Sequence, residues 1–482
     1  MTTMMTQRLT VLAAALVLAG CSFAPKYERP LAPIAGDWPV LGLATTGTTP
    51  AGQAASALEW QTFFSDPQLR KLIEVSLINN RDLRIAVLTI EQARAQFQIR
   101  RADQFPSVGA AITGSRMPST TGNGSITSAY TAGLAMTSYE IDFFGRVASL
   151  KDAALSQYLA TEEGRKTTQI TLIASVANGY LSLLADQESL AITQQTLDSR
   201  VVSLKLSQLR FDNGVSSELD LRQSESLVEA ARVSLAQLQR QRALDENALS
   251  LLLGQPLTAD LAVVLPAGQG LADRPVMADV PAGLPSDLLA LRPDIRQAEQ
   301  QLLAANANIG AARAAFFPKI SLTASAGSAS SNLSGLFDSG TYGWTLAPQL
   351  FLPLFDAGRN QAGLEVSKAT RDIAVAQYEK AIQTAFREVA DALAGRATLG
   401  VQLKAQQAQT TAEAARFKLS DLRYQNGIAS QLDLLDAQRA LFAAQQAVVQ
   451  TRLQQLQNQV TLYKTLGGGW KEAALNTLPS AP

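Results

Sequence analysis

Histidine is absent from the 482 residues and cysteine occurs once. Without imidazoles and with a single thiol, the chain cannot build the thiolate and imidazole sites typical of zinc. It also cannot build a Ser-His-Asp or Cys-His nucleophile. Asp and Glu are plentiful enough for a carboxylate-only hydrolase, but no pattern pairs an acid with a base. The "GGG" run at Gly467–Gly469 lacks the preceding strand and following helix that a phosphate loop needs. No catalytic residue, cofactor or metal site is expected. Charge is scarce, with 17% charged residues, and the 41 basic and 41 acidic side chains cancel. A nucleic-acid partner, which needs a basic footprint, is therefore not expected. Beyond the first twenty residues no apolar run reads as a membrane-spanning helix, so any crossing is expected to use strands.

The N-terminus supplies one apolar run. Arg8 precedes Leu9–Ala19, which is too short to span a bilayer but suits a secretory signal. "LAGC" at Leu18–Cys21 resembles a bacterial lipobox. The resemblance implies a signal peptide over 1–20, lipidation of Cys21, and a lipid-anchored extended segment over 21–66. Each buried acyl methylene contributes about 0.8 kcal/mol to such an anchor.

The rest of the chain is written twice. "LRFDNGVSSELDLRQSESL" at Leu209–Leu227 returns as "LRYQNGIASQLDLLDAQRA" from Leu422, at an offset of 213. The same offset relates Gly145-Arg146 to Gly358-Arg359 and Leu253-Gly254 to Leu466-Gly467. Upstream, "RADQFP" at Arg101 returns as "RAAFFP" at Arg313 with an offset of 212. A period this long exceeds solenoid repeats, so each copy is a multi-element unit. Repeat one is expected over 67–254 and repeat two over 286–466, joined by a linker at 255–285 and followed by a tail at 467–482.

Within each copy the periodicity changes in the same order. Apolar residues at three- and four-residue spacing predict a helix over 67–104 and over 286–315, each stopped by proline, Pro106 or Pro318. Alternation then predicts a β-hairpin over 106–142 and another over 318–355, with strands near the length of a tilted membrane strand. From Phe144 to Asp212 there is no proline, and such a helix would run about 100 Å. Asn213-Gly214 ends it, and Ser217–Leu253 returns. Copy two repeats this with Arg359–Gln425, Asn426-Gly427 and Ser430–Leu466.

Four strands cannot close a membrane barrel, and open sheet edges are not tolerated in lipid. A trimer with roughly twelve strands would close one. Six stretches carry a resemblance to a known family: "CSFAPKYERP" from Cys21, "WQTFFSDPQLRKLIEVSLINNRDLRIA" from Trp60, "IDFFGR" from Ile141, "LPSDLLALRPDIRQAE" from Leu284, "FDAGR" from Phe355 and "YQNGIASQLDLLDAQRAL" from Tyr424. By these the sequence resembles the outer-membrane efflux channels of the TolC superfamily, of the lipidated OprM/NodT type.

The resemblance implies an α+β fold, with a trimeric outer-membrane β-barrel of four strands per protomer. A long α-helical barrel continues it, with a small mixed equatorial domain. It further implies a passive exit duct for drugs, solvents or other toxic compounds. The implied partners are outer-membrane lipid, a periplasmic adaptor and an inner-membrane pump of the resistance-nodulation-division class. A duct for type I protein secretion and a lipid-anchored coiled coil without a pore are the competing readings.

By the same resemblance the hairpin tips are the periplasmic aperture. Leu432 would form an apolar constriction. Asp433 and Asp436 would form acidic rings, Arg439 would pair with Asp436 across helices, and Tyr424 would tie neighbouring hairpins shut. Asp220 is the copy-one counterpart of Asp433. A basic residue that some relatives carry two positions after the turn glycine is Ala429 here. Copy one has Gln223 and Ser226 where copy two has Asp436 and Arg439.

Overall fold

The structure of the chain is a computed structural model, described over residues 23–39, 55–118, 126–265, 269–273, 277–281 and 286–471. The expected signal peptide and Cys21, residues 119–125 and most of the C-terminal tail lie outside the described residues. The elements run in chain order as α1 (Pro67–Asn79), α2 (Arg81–Ala102), β1 (Val108–Pro118), β2 (Ile126–Glu140), α3 (Arg146–Asp212) and α4 (Glu218–Leu253). They continue as α5 (Asp287–Leu291), α6 (Pro293–Ala314), β3 (Lys319–Ser330), β4 (Tyr342–Phe351), α7 (Arg359–Gln425) and α8 (Gln431–Thr465).

Two of the expected helices are each broken in two. The segment expected over 67–104 divides at Asn80, whose backbone is extended at φ −63°, ψ 132°. The segment expected over 286–315 divides at Arg292, φ −82°, ψ 122°. Proline at position 293 accounts for the second break, since it pushes the preceding residue out of the helical region. At the first, the Asn80 side chain replaces helix bonds. Its Oδ1 accepts from Leu83 N at 3.0 Å, starting α2 as a cap does.

Residues 23–32, 88–162 and 297–380 form one compact unit. Its sheet has the order β1-β2-β3-β4, antiparallel throughout. The registers place side chains in rows across all four strands: Ala110, Leu134, Ala326 and Trp344 make one row, and Ile112, Ala132, Ser328 and Tyr342 the next. One face thereby gathers Val108, Ile112, Leu134, Tyr342, Trp344, Leu346 and Leu350, all exposed. The opposite face holds small residues: Thr113 and Thr131 share a hydrogen bond at 2.6 Å, as do Ser325 and Thr345 at 2.7 Å. The strands β2 and β3 cross closely at Gly133 and Gly327. A Cβ on Gly133 would lie 2.4 Å from the Ala326 carbonyl.

In the same unit, residues 23–29 lie along α6. Phe23 stacks on Phe317, centroids 4.6 Å apart, and Phe317 on Phe144 at 5.0 Å. Arg313 donates to Phe23 O and Asn306 to Pro25 O. Arg29 grips Glu299 with two bonds of 2.7 and 2.8 Å, and the Tyr27 hydroxyl donates to the same carboxylate. Burial first, then the Glu299 charge, pushes the Tyr27 phenol well above its usual range.

The described residues within 33–87, 163–296 and 381–471 form the second unit. Its core gathers Trp60, Phe63, Phe64, Leu72, Ile73, Tyr180, Leu183 and Leu184, each 2% exposed or less. Phe63 stacks on Tyr463 at 3.9 Å, and the Tyr463 hydroxyl donates to Leu58 O. The linker packs on this core. Gln187 donates to Val263 O at 2.6 Å and accepts from Leu265 N at 2.6 Å, and Ala278 N donates to Phe63 O at 3.2 Å.

Contrary to the sequence reading, α3 contains a stretch long and apolar enough to cross a membrane, but 67% of that window is buried within the chain. It is a core helix in these contacts. The polar α3 side chains beside it are answered by a ladder of amides on α8. Gln438 donates to Ser199, Gln446 to Thr193 and Ser189 O, and Gln457 to Ser182.

Candidate aperture at the helix-hairpin tips

Both tips are built from the same four residues. Asn213 closes α3 by donating its side-chain amide to Leu209 O at 2.7 Å, and Asn426 closes α7 by donating to Leu422 O at 2.7 Å. Gly214 (φ 69°) and Gly427 (φ 72°) follow in the left-handed region that favours glycine. The next amides reach back, Val215 N to Arg210 O and Ile428 N to Arg423 O, both at 2.8 Å. These bonds satisfy carbonyls that a helix end leaves open.

The returning helices open with capping boxes. Ser217 Oγ accepts from Asp220 N at 3.2 Å, and Ser430 Oγ from Asp433 N at 3.2 Å. Each aspartate accepts in return from its serine hydroxyl at 2.8 Å and from its serine backbone N–H. Asp220 and Asp433 therefore have a local structural role, which the sequence reading did not give them. The Ser430 hydroxyl and then its backbone N–H hold the Asp433 carboxyl below the usual carboxylate range. Leu432 is 53% exposed and its counterpart Leu219 66%, so each tip carries a bare leucine.

The two copies differ one turn further along. Asp436 forms an ion pair with Arg416 of α7, and Arg416 also holds Glu413 at 3.2 Å. Arg439 makes no ion pair among the described residues. Its Nε donates to Leu435 O at 3.4 Å. The pairing of Arg439 with Asp436 read from the sequence is thus not made within the chain, where Arg416 takes that place. The copy-one counterparts of Arg416 and Asp436 are Ser203 and Gln223, so the asymmetry affects both members of the pair. Arg200 stands where copy two has Glu413. It is 5% exposed, donates to Leu227 O at 2.9 Å, and lies over the Phe442 ring. Burial, then the neighbouring Arg439, pushes its guanidinium pKa down.

Tyr424 lies under the Arg210 guanidinium at 4.7 Å, and its hydroxyl donates to Gln431 Oε1 at 3.5 Å. Gln431 is a residue the sequence reading missed. Though only 8% exposed, its amide donates to Ser207 Oγ, Ser224 Oγ and Asp220 O at 3.0, 2.6 and 3.2 Å. It binds the second copy to the first at the tip. Its signal was available: with Gln438 seven residues on, it lies on the same helix stripe as the buried Leu434 and Leu435.

A duplicated chain with a four-strand, apolar-faced sheet and two long helix hairpins has the make-up of an outer-membrane channel protein. Comparison places it further. The chain belongs to the outer membrane efflux protein family, whose family model matches residues 72–255 and 284–468. It is 50% identical to the toluene efflux pump outer membrane protein TtgC of Pseudomonas putida, over 97% of both chains. It is 46% identical to outer membrane protein OprJ of Pseudomonas aeruginosa, over 95% of both. Among solved structures it matches the open state of the Neisseria gonorrhoeae MtrE outer membrane channel with 40% identity and a TM-score of 0.83. That match covers 94% of this chain and 99% of the other. The protein is an outer-membrane efflux channel and not an enzyme.

Proposed function

We propose that three copies of this chain close one barrel and form the exit duct of a tripartite pump for organic solvents or drugs. The observation that carries this reading is the sheet. Its four strands present an apolar, aromatic face to solvent, and among the described residues the outer edges of β1 and β4 have no strand partner. Unpaired strand edges cannot remain open in lipid, and like chains are the available partners. Roughly twelve strands enclose a hollow barrel, with the apolar face toward lipid and the small polar face toward the lumen. Cys21, lipidated, anchors the segment that residues 23–29 hold against α6.

Passage through such a tube needs no chemistry from the duct, in keeping with the missing catalytic inventory. Energy and selection reside in an inner-membrane pump of the resistance-nodulation-division class, reached through a periplasmic adaptor. Relatives named for toluene and antibiotic efflux support that cargo class. The aperture is the set of hairpin tips. Leu432 narrows it, Asp433 and Asp436 ring it, and Tyr424 and Arg439 take part in closing it. Mass measurement of the detergent-solubilised protein tests the assembly: a trimer is expected, and a monomer at all concentrations contradicts it.

A further inference from the structure

We propose that an acyl chain of the lipid on Cys21 fills a cavity of this protein instead of lying in the bilayer with the rest of the anchor. The proposal rests on the reading that Cys21 is lipidated. The cavity forms where β2 and β4 end, β3 begins, α6 ends and α3 and α7 begin. Its volume is about 870 Å³, within the roughly 300–1,000 Å³ typical of ligand sites. Ile141, Phe143, Phe317, Phe351, Leu352 and Phe355 give it an apolar wall. Much of that wall is bare: Phe351 is 62% exposed and Phe355 90%. Apolar surface gathered in this way gains from an apolar occupant that takes it out of water.

The polar part of the lining does not call for an anion. Three acids, Glu140, Asp142 and Asp356, stand against three bases, Arg146, Lys319 and Arg359. Glu140 holds both Arg146, at 2.6 Å, and Lys319, at 3.2 Å. Asp142 and Asp356 accept from backbone N–H groups of the helices that follow them, those of Ala148 and Asn360. With the charges balanced and largely committed, the cavity suits an uncharged fatty chain better than a phosphate headgroup.

The N-terminal strap brings such a chain to the mouth. Phe144 and Phe317 line the cavity, and both stack on Phe23. Phe23 O and Pro25 O are fixed by Arg313 and Asn306. Gly310 lets the strap lie close, since a Cβ there would stand 2.8 Å from Ala24 N. Two residues of chain span about 7 Å at most, so an acyl group on Cys21 starts within reach of these rings. The repeat supplies no second ring cluster of this kind, because the copy-two counterpart of Phe144 is Ala357. Filled, the cavity ties the strap to the junction of sheet and helices, and the lipid becomes part of the protein's packing as well as its anchor.

Photo-cross-linking of the full-length protein in its membrane tests this. Cells are fed palmitate carrying a diazirine at the tail end, membranes are irradiated, and cross-linked peptides are mapped by mass. The Cys21 peptide is expected to join peptides over 141–146, 314–320 or 351–359, in a product that runs as one chain on a denaturing gel. In Ala315→Trp, whose ring takes up the space, these cross-links should be lost while label still enters Cys21. The wild-type map stands without the variant. Labelled Cys21 that joins only phospholipid, a second copy or residues away from the cavity would overturn the proposal and leave the lipidation reading intact. Cavity peptides carrying the mass of a phospholipid in place of the Cys21 peptide, or an unchanged map in Ala315→Trp, would overturn it too. Absence of label from the wild-type Cys21 peptide would refute the lipidation reading itself, and the proposal with it.

Discussion

Asn80 and Arg292 occupy the same place in the two halves of the chain and answer the same carbonyl. Asn80 donates from Nδ2 to Leu252 O and Arg292 from Nη1 to Thr465 O, each at 2.9 Å. Leu252 and Thr465 are themselves equivalent, 213 residues apart. In both halves a broken helix is thereby tied to the end of the returning helix. The glycine that follows, Gly254 or Gly467, has positive φ and lies against the backbone of the break, Asn79 O or Leu291 O. The duplication preserved the joint while its side chain diverged from amide to guanidinium.

The two joints should respond differently to truncation. Arg292 also pairs with Asp294 at 2.6 Å and Glu388 at 2.9 Å, and is 7% exposed. Arg292→Ala strips these carboxylates of their cation and is expected to destabilise by about 3–5 kcal/mol. Asn80→Ala loses only neutral bonds, for about 1–3 kcal/mol. Denaturant unfolding of the two variants in one detergent checks the order, and an Asn80→Ala loss equal to or above that of Arg292→Ala contradicts it.

Gln431→Leu should loosen the tip without altering its charge. It removes the amide nitrogen that three oxygens share and leaves Ser207 and Ser224 with only each other, at 3.1 Å. A loss of about 1–3 kcal/mol is expected. Hydrogen exchange over 203–226 is the direct readout, and unchanged protection there would show that the amide holds nothing.

Gly427→Val tests the turn by backbone strain alone, because a Cβ at Gly427 would meet no atom within 4 Å. A β-branched residue at positive φ costs about 1–3 kcal/mol. The protein should still fold while its tip distorts, so drug resistance of cells carrying the variant is expected to drop. Full resistance at wild-type expression would contradict a functional role for the tip.

Much of this organisation was legible in the chain. The constant offset showed two copies, and the Asn-Gly pairs marked both tips because few residues accept positive φ. The alternation in β2 and β4 marked the sheet faces. Other features needed coordinates. The break at Asn80 has no proline behind it; it depends on a carbonyl 172 residues away. Arg416 was passed over because its partner Asp436 is twenty residues distant, beyond any helical spacing. The capping role of Asp433 was hidden because a capping carboxylate and a free one look alike in sequence.

Cys21→Ser should block acylation yet leave the trimer intact, since strand pairing rather than the lipid closes the barrel. Labelled palmitate should no longer enter the variant, and its mass in detergent should match the wild type. Palmitate incorporation would refute the lipidation site, and wholly monomeric variant protein would refute the account of closure.

Single-channel recording in planar bilayers tests the central claim, a pore whose tips are restrained by charges present only in the second copy. The wild type should give discrete conductance steps. Asp436→Ala unties Arg416 of α7 from α8, leaving it only Glu413 of its own helix, and Arg439→Glu sets like charges against one another around a three-fold axis. Both should raise the step size, the reversal more, while Gln223→Ala leaves it unchanged. Absence of steps in the wild type, or one conductance shared by all four proteins, would contradict this account.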